Sequence, residues 1–402
     1  MALLTIEEPR SPAQGKPSLT HHPLFRLGFR PFYLLAAIFA GVSIPMWVAT
    51  YFGVAPQHLA AHVNIFWHVH EMVYGFAVAV IIGFLFTAGR NWTGLWTPRR
   101  GHLAALAGLW IAGRIAMCAL PAPVAAIVDV SFLPLAAWPM YRVLKRAGSK
   151  RNYFLVGLLG LLTCANIVFH LAVNGVLDIS PIAPVEAAIL IVVMIESVIG
   201  GRVIPGFTSN AVPGCKPVTD AKRDRISIVL TAVASLAWVA HLPGPLVAAL
   251  AFAASVTQMT RLVGWKPHVT LGHPLLWILH ASFAWIAIGF FLLSLAALNL
   301  VTTSAAFHAL TVGSMAGLIL GMITRTALGH TGRPLSAGRS ELMMYLLVQA
   351  GVIARLLAAA DAFGVRNAML VIAAACWSAA FLLYVAVYAP YLVRARVDGR
   401  DG

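Results

Sequence analysis

The stretch Phe66–Gly94, FWHVHEMVYGFAVAVIIGFLFTAGRNWTG, decides how the rest of the chain is read. Between Glu71 and Arg90 it carries no charge. A run of that length is long enough to cross the ~30 Å hydrocarbon core of a bilayer as a helix. His68, His70 and Glu71 stand at its mouth. Ionisable groups beside hydrocarbon are costly, and where they persist they mark a function.

The same character extends along the chain. Of 402 residues, 60% are hydrophobic and 10% are charged, against about 25% charged in an average soluble domain. Apolar runs recur at about 30–52, 68–89, 102–120, 123–143, 153–174, 182–202, 226–241, 243–262, 275–298, 304–325, 341–361 and 367–393. The reading is an all-α, polytopic integral membrane protein with about twelve transmembrane helices in a domain over 30–393. Residues 1–29 and 394–402 read as cytoplasmic tails. The seventh run is short, and Leu242-Pro243-Gly244-Pro245 makes its end the least defined boundary.

The net charge of +15 comes mostly from Lys and Arg gathered in alternate short loops, after runs two, four, six, eight and ten and at the C-terminus, while the intervening loops are nearly free of them, Arg366 being the exception. That is a topological pattern and not a nucleic-acid-binding stripe. Positive-inside then puts both termini in the cytoplasm. Cys118, Cys164, Cys215 and Cys376 are far apart and form no CxxC or CxxCH, so thiol redox, cysteine-zinc and covalent haem attachment have no support.

Runs two, six and ten share an ending: IIGFLFTAGRNWTG, VIGGRVIPGFTSN and ILGMITRTALGHTG. Taking Gly83, Gly200 and Gly321 as equivalents gives a period of roughly 120 residues, or three four-helix units around a pseudo-threefold axis. Counting back about 14 residues from each Gly reaches the neighbourhood of His68, Glu186 and His308, near the outer mouth of each helix.

Fourteen histidines are many for so apolar a chain, and imidazole is the commonest transition-metal ligand. His68, His70, Glu71, His170, Glu186 and His308 all fall within about two turns of the outer surface. His58 and His62 form an H-x3-H pair, which on a helix would present two imidazoles to one ion. His68 and His70 lie about 200° apart around a helix, so either the helix is unwound there or they serve two different centres. Arg114 and Arg355 sit inside their runs and need an anion. For Arg114, Asp129 is one candidate and a ligand carboxylate another. Glu196 has no evident basic partner. His280 lies deeper on the cytoplasmic side, one face with His273.

The blocks HPLFRLGFRPFYLLA, WHVHEMVYGFAVAVIIGFLFTAGRNWTG, LWIAGRIAM, GGRVIPGFT, HPLLWILHASFAW and HALTVGSMAGLILGMITRTALGHTGRPL, in this order, resemble the NnrS family. These are bacterial inner-membrane proteins associated with the nitric oxide response. The resemblance implies haem b and copper, and a role in handling nitric oxide or protecting iron pools from nitrosative stress. The resemblance does not say which histidine holds haem and which copper; from the threefold arrangement, in which runs two and ten face each other, His70 and His308 are expected to ligate haem, with Arg114 and Arg355 at its propionates. Copper is expected near His68 with His170, and with Glu71 or His62 contributing. The partners expected are the lipid bilayer, nitric oxide or a related small ligand, and an electron donor of unspecified kind. The competing class is a transporter of a small solute or metal ion, which repeated units and intramembrane charge also suit.

Overall fold

The computed structural model describes residues 22–361 and 364–399. The greater part of the expected N-terminal tail lies outside the described residues, as do the last residues of the C-terminal one. Twelve long helices make up the described chain: α1 Phe29–Tyr51, α2 Ile65–Thr93, α3 Arg100–Ala119, α4 Ala122–Arg146, α5 Tyr153–Val173, α6 Ile182–Ala211, α7 Ala221–Val239, α8 Gly244–Gly264, α9 Pro274–Ala297, α10 Thr303–His330, α11 Arg339–Ala360 and α12 Arg366–Val393. Among the described residues there is no strand.

Eleven of these helices are long and apolar enough to cross a membrane. The exception is α7. Its helix starts at Ala221, five residues before the expected run, so its first turn takes in Lys222, Arg223, Asp224 and Arg225. The Asp220 carboxylate caps that turn by accepting the backbone N–H of Arg223 at 2.7 Å, a bond that holds its carboxyl below the usual range.

Helices α2 and α10 form the centre of the bundle, with 83% and 78% of their spanning windows buried, against 39% for α1. Both are unusual in the same place. Glu71–Ala77 in α2 and Ala309–Ala316 in α10 are π-helical. Helix α6 is α-helical throughout, so the shared glycine endings do not extend to a shared helix geometry in all three. The shared glycines themselves have a packing reason. A Cβ at Gly83 would stand 3.0 Å from Phe32 Cβ, at Gly200 3.0 Å from Phe283, and at Gly321 2.7 Å from Leu279. Each marks a close helix crossing.

The first and last helices close the bundle against each other. Helix α12 leaves its final carbonyls without intrahelical partners. The fully buried Arg30, in the first turn of α1, donates to three of them: Leu392 O at 2.9 Å, Arg394 O at 2.7 Å and Tyr391 O at 3.4 Å. A guanidinium at a helix C-terminus also complements the helix dipole. The α1 backbone is held from the other side, where Phe29 N–H donates to Thr87 Oγ1 at 3.1 Å. Arg30→Met should therefore lower stability by about 2–4 kcal/mol, since hydrogen bonds from a charged group contribute ~1.5–3 kcal/mol each and are not additive. Thermal unfolding of the detergent-solubilised protein measures this, and an unchanged melting temperature would remove the clamp from the account of how the bundle closes.

Candidate functional site

The two π segments begin immediately after a histidine, His70 in α2 and His308 in α10. A π turn widens the helix and redirects the side chains and carbonyls around it, and such turns concentrate at functional sites. In α2 the redirected Gly75 carbonyl accepts the Trp110 indole N–H at 3.0 Å. Gly75 has no side chain because none fits: a Cβ there would lie 2.6 Å from Phe39, 2.7 Å from Glu71 Oε2 and 2.9 Å from an Arg114 nitrogen. The matching glycine in α10, Gly313, lies against Trp285.

The space that Gly75 leaves is filled by an ion-pair network. Arg114, on α3, donates to Glu71 Oε2 at 2.6 Å and to Asp129 Oδ1 on α4. The second oxygen of each carboxylate then faces imidazole. Glu71 Oε1 lies 3.0 Å from His70 Nδ1. Asp129 Oδ2 lies 3.1 Å from His170 Nε2 on α5 and 3.2 Å from His70 Nε2. Asn166, one turn before His170, donates its amide N–H to Asp129 Oδ2 at 2.8 Å and turns its oxygen to His70 Nε2 at 2.9 Å. All of these side chains are buried.

One ligand atom from each of His70, Asp129 and His170 lies within 4.8 Å of the other two. Two imidazoles and a carboxylate are a ligand set suited to a transition metal. The surroundings also fit a cation. Both His70 nitrogens face accepting oxygens, Glu71 Oε1 on one side and Asn166 Oδ1 and Asp129 Oδ2 on the other, so both donate here, and a metal ion would take the place of the proton on His70 Nε2. Behind His70, Glu71 supplies the carboxylate–imidazole bond that orients a metal-binding histidine.

His68 points elsewhere. It lines a cavity of about 470 Å³ between α1, α2, α6, α10, α11 and α12, together with His308, Glu186, Arg355 and Arg366. That volume is within the ~300–1,000 Å³ of ligand pockets. Most of the remaining lining is apolar and aromatic, including Met72, Met315 and Trp377. The His68 ring stacks on Trp47, with centroids 5.1 Å apart and 8° between planes, and its Nδ1 is buried with no hydrogen-bond partner. His308 Nδ1 is 2.7 Å from Ser304 O. A carbonyl only accepts, so Nδ1 carries the proton and Nε2 keeps its lone pair. Arg355 donates to Ser304 Oγ at 3.0 Å. Among the described residues no carboxylate pairs with Arg355 or Arg366.

The expected residues therefore sort into two places. His70 and His308 do not share a site: His70 belongs with His170, and His308 lies with His68. The 200° between His68 and His70 sends the two rings to opposite sides of α2. Arg114 faces Glu71 and Asp129 and has no open side toward the cavity, so the anion expected for it is a pair of protein carboxylates. Arg355 does line the cavity. Glu71 stands behind His70 and outside the ligand triad. Glu186 lines the cavity and accepts the Trp238 indole N–H at 2.9 Å. His62 joins neither place. The helix holding His58 ends at Ala60, so no continuous helix presents the H-x3-H pair. His280 is buried apart from both, bonded through Nδ1 to Leu276 O at 3.1 Å and near Thr208 Oγ1 at 3.4 Å. The reading of the sequence missed Asp129 as a member of the triad, although a carboxylate inside an apolar run was its signal. Trp47 carried no such signal, and Arg366 only that of a basic residue in an outer loop, against the pattern of the other loops.

These observations define a multi-pass helical membrane protein with a buried His/Asp/His cluster of metal-ligand chemistry beside an apolar, histidine-bearing cavity. The chain belongs to the NnrS family. The family's model, described as NnrS protein, matches residues 23–396, nearly the whole chain. No curated protein matches the chain.

Removing one partner of a buried ion pair leaves the other charge uncompensated, at a cost of about 3–5 kcal/mol. Asp129→Leu should fall in that range, since it strips Arg114, Asn166 and His170 together. Arg114→Leu should cost a similar amount by leaving two carboxylates together. Equilibrium unfolding in detergent measures both, and a loss below about 1 kcal/mol for both would show that the network is solvated.

Proposed function

We propose that the protein is a haem- and copper-binding protein of the bacterial inner membrane that acts in the response to nitric oxide and nitrosative stress. One observation carries the reading. Two histidines that are neighbours in sequence, His68 and His70, enter two chemically different sites. One is an apolar cavity with free imidazole nitrogens and unpaired guanidinium groups. The other is a tight carboxylate–imidazole cluster.

The cavity suits a large, flat, mostly apolar group with anionic arms. His68 and His308 are the residues that would hold its iron, and Arg355 and Arg366 would face its carboxylates. The orphaned His68 Nδ1 and the fixed tautomer of His308 support this fit. His70, Asp129 and His170 would hold copper, for which imidazole is a good ligand. Haem iron and copper, when bound, supply one-electron chemistry and affinity for small diatomic ligands. The protein's own part is positional. Trp47 holds the His68 plane, Ser304 fixes the His308 proton on Nδ1, and Arg114 fixes Glu71, which orients His70. The gathering of Lys and Arg at one end of the bundle supports cytoplasmic termini, and in that orientation both sites would lie toward the periplasmic side.

The test is the visible spectrum and metal content of the purified protein. A Soret band that shifts on addition of nitric oxide is expected. It should be lost or strongly altered in His68→Ala and in His308→Ala, and retained in His70→Ala. Arg355→Leu should weaken haem retention in detergent. Absence of a Soret band from protein made with ample haem would overturn the haem reading and favour transport of a small solute.

Copper should respond to the other set. His70→Ala and His170→Ala should each lower bound copper at least about tenfold, in the range typical for losing a metal ligand or its support, with the Soret band kept. Unchanged copper in both variants would exclude the cluster as its site.

A further inference from the structure

His68 and His308 line one cavity, yet the protein holds the two rings in different ways. His308 lies on the central helix α10, between the buried Phe307 and Ala309. Its Nδ1 donates to Ser304 O, one turn back, at 2.7 Å. Ser304 is held in turn, its Oγ accepting from Arg355 at 3.0 Å. A hydrogen bond from the far ring nitrogen fixes the orientation of a ligating imidazole and raises its basicity.

His68 has no such support. Its Nδ1 is buried without a partner, so Nε2 is the nitrogen left to face the cavity. With the Nε2 lone pair in use, the ring proton sits on Nδ1 and finds no acceptor, which makes Nε2 the weaker ligand atom. The ring is held by its stack on Trp47, with centroids 5.1 Å apart. Trp47 stands two residues beyond Pro45, which interrupts α1 and leaves the Gly41 carbonyl without its helical donor. After Ser43 no residue of α1 is buried. Helix ends with few buried contacts open at the least cost. The wall behind His68 is therefore the loosest part of the cavity's frame, and the mount of His308 is among the firmest.

A haem offers two axial positions, and two imidazoles fill both, so one must leave before a small ligand binds. We propose that His308 is the fixed ligand in the cavity and His68 the exchangeable one, which swings away with the outer end of α1 to admit nitric oxide. In the exchange the bond from His68 Nε2 breaks, its lone pair stays on the imidazole, and nitric oxide takes the vacated position. No proton or electron needs to enter or leave. The assignment rests on the haem reading given under Proposed function and adds to it which histidine yields.

Rapid mixing of the reduced, full-length protein in detergent with nitric oxide tests this. In the parent, the observed rate should level off as nitric oxide is raised, at the rate with which His68 leaves. Trp47→Leu should raise that ceiling about two- to tenfold, the rate equivalent of one aromatic stack. In His68→Gly the ceiling should vanish, and the rate should rise in proportion to nitric oxide. Electron paramagnetic resonance of the same samples reads the ligand that stays. Splitting from one imidazole nitrogen is expected in the parent and in His68→Gly, and none in His308→Gly. A parent rate without a ceiling, or a ceiling that Trp47→Leu does not move, overturns the proposal. So does imidazole splitting that is lost in His68→Gly and kept in His308→Gly, which would reverse the roles. A Soret band missing before any nitric oxide is added overturns the haem reading itself, and the assignment with it.

Discussion

Arg114 holds a full positive charge inside the bundle, and its two carboxylate partners arrive from different helices. Charge attraction is strong where water is excluded, so Glu71 and Asp129 are fixed by it. Each then has one oxygen left to position an imidazole. A single guanidinium on α3 thereby sets the geometry of residues on α2, α4 and α5. Stability alone does not account for such a network, because a buried ion pair is often replaceable by apolar side chains at little cost. Leucine and methionine would fill the space, but they would not leave two imidazoles and a carboxylate converging on one point.

The cavity obeys the opposite rule. Around His68 and His308 the protein withholds partners, leaving one imidazole nitrogen orphaned and two guanidinium groups without carboxylates. The cluster pairs its charged groups with one another, Arg114 Nε alone among its polar atoms going without a partner; the cavity leaves its polar groups to be satisfied by something else. Helix α2 serves both, with one ring turned each way. The glycine in each π segment permits this crowding, since a side chain at Gly75 would displace the Arg114–Glu71 pair and one at Gly313 would strike Trp285.

Much of the fold was legible because crossing a membrane imposes length and apolarity on each helix. The α7 boundary was not, since Lys222–Arg225 read as loop until Asp220 is seen capping a helix that includes them. The existence of a site at the outer mouth of α2 was legible from charge beside hydrocarbon. That His68 and His70 face apart followed from helical geometry alone. Which of them meets His308 did not, because it depends on how α2 is rotated against α10, a property of packing with no local signature. Asp129 and Glu71 were visible as buried acids, yet their joint grip on Arg114 required three helices to be placed. The His58/His62 spacing misled for a simpler reason: helical spacing means nothing where the helix stops two residues short.

The π segments tie chemistry to residue count. A π turn accommodates one more residue than the α-helix it interrupts, and each residue of an α-helix accounts for about 100° of rotation. Straightening the turn between Glu71 and Ala77 to regular geometry with every residue kept would turn His68 and His70 by about that angle relative to Gly83. Every side chain could be retained and both sites would still be lost. In these two helices, spacing is inherited information as much as residue identity, and relatives should tolerate substitutions along them far more readily than insertions or deletions.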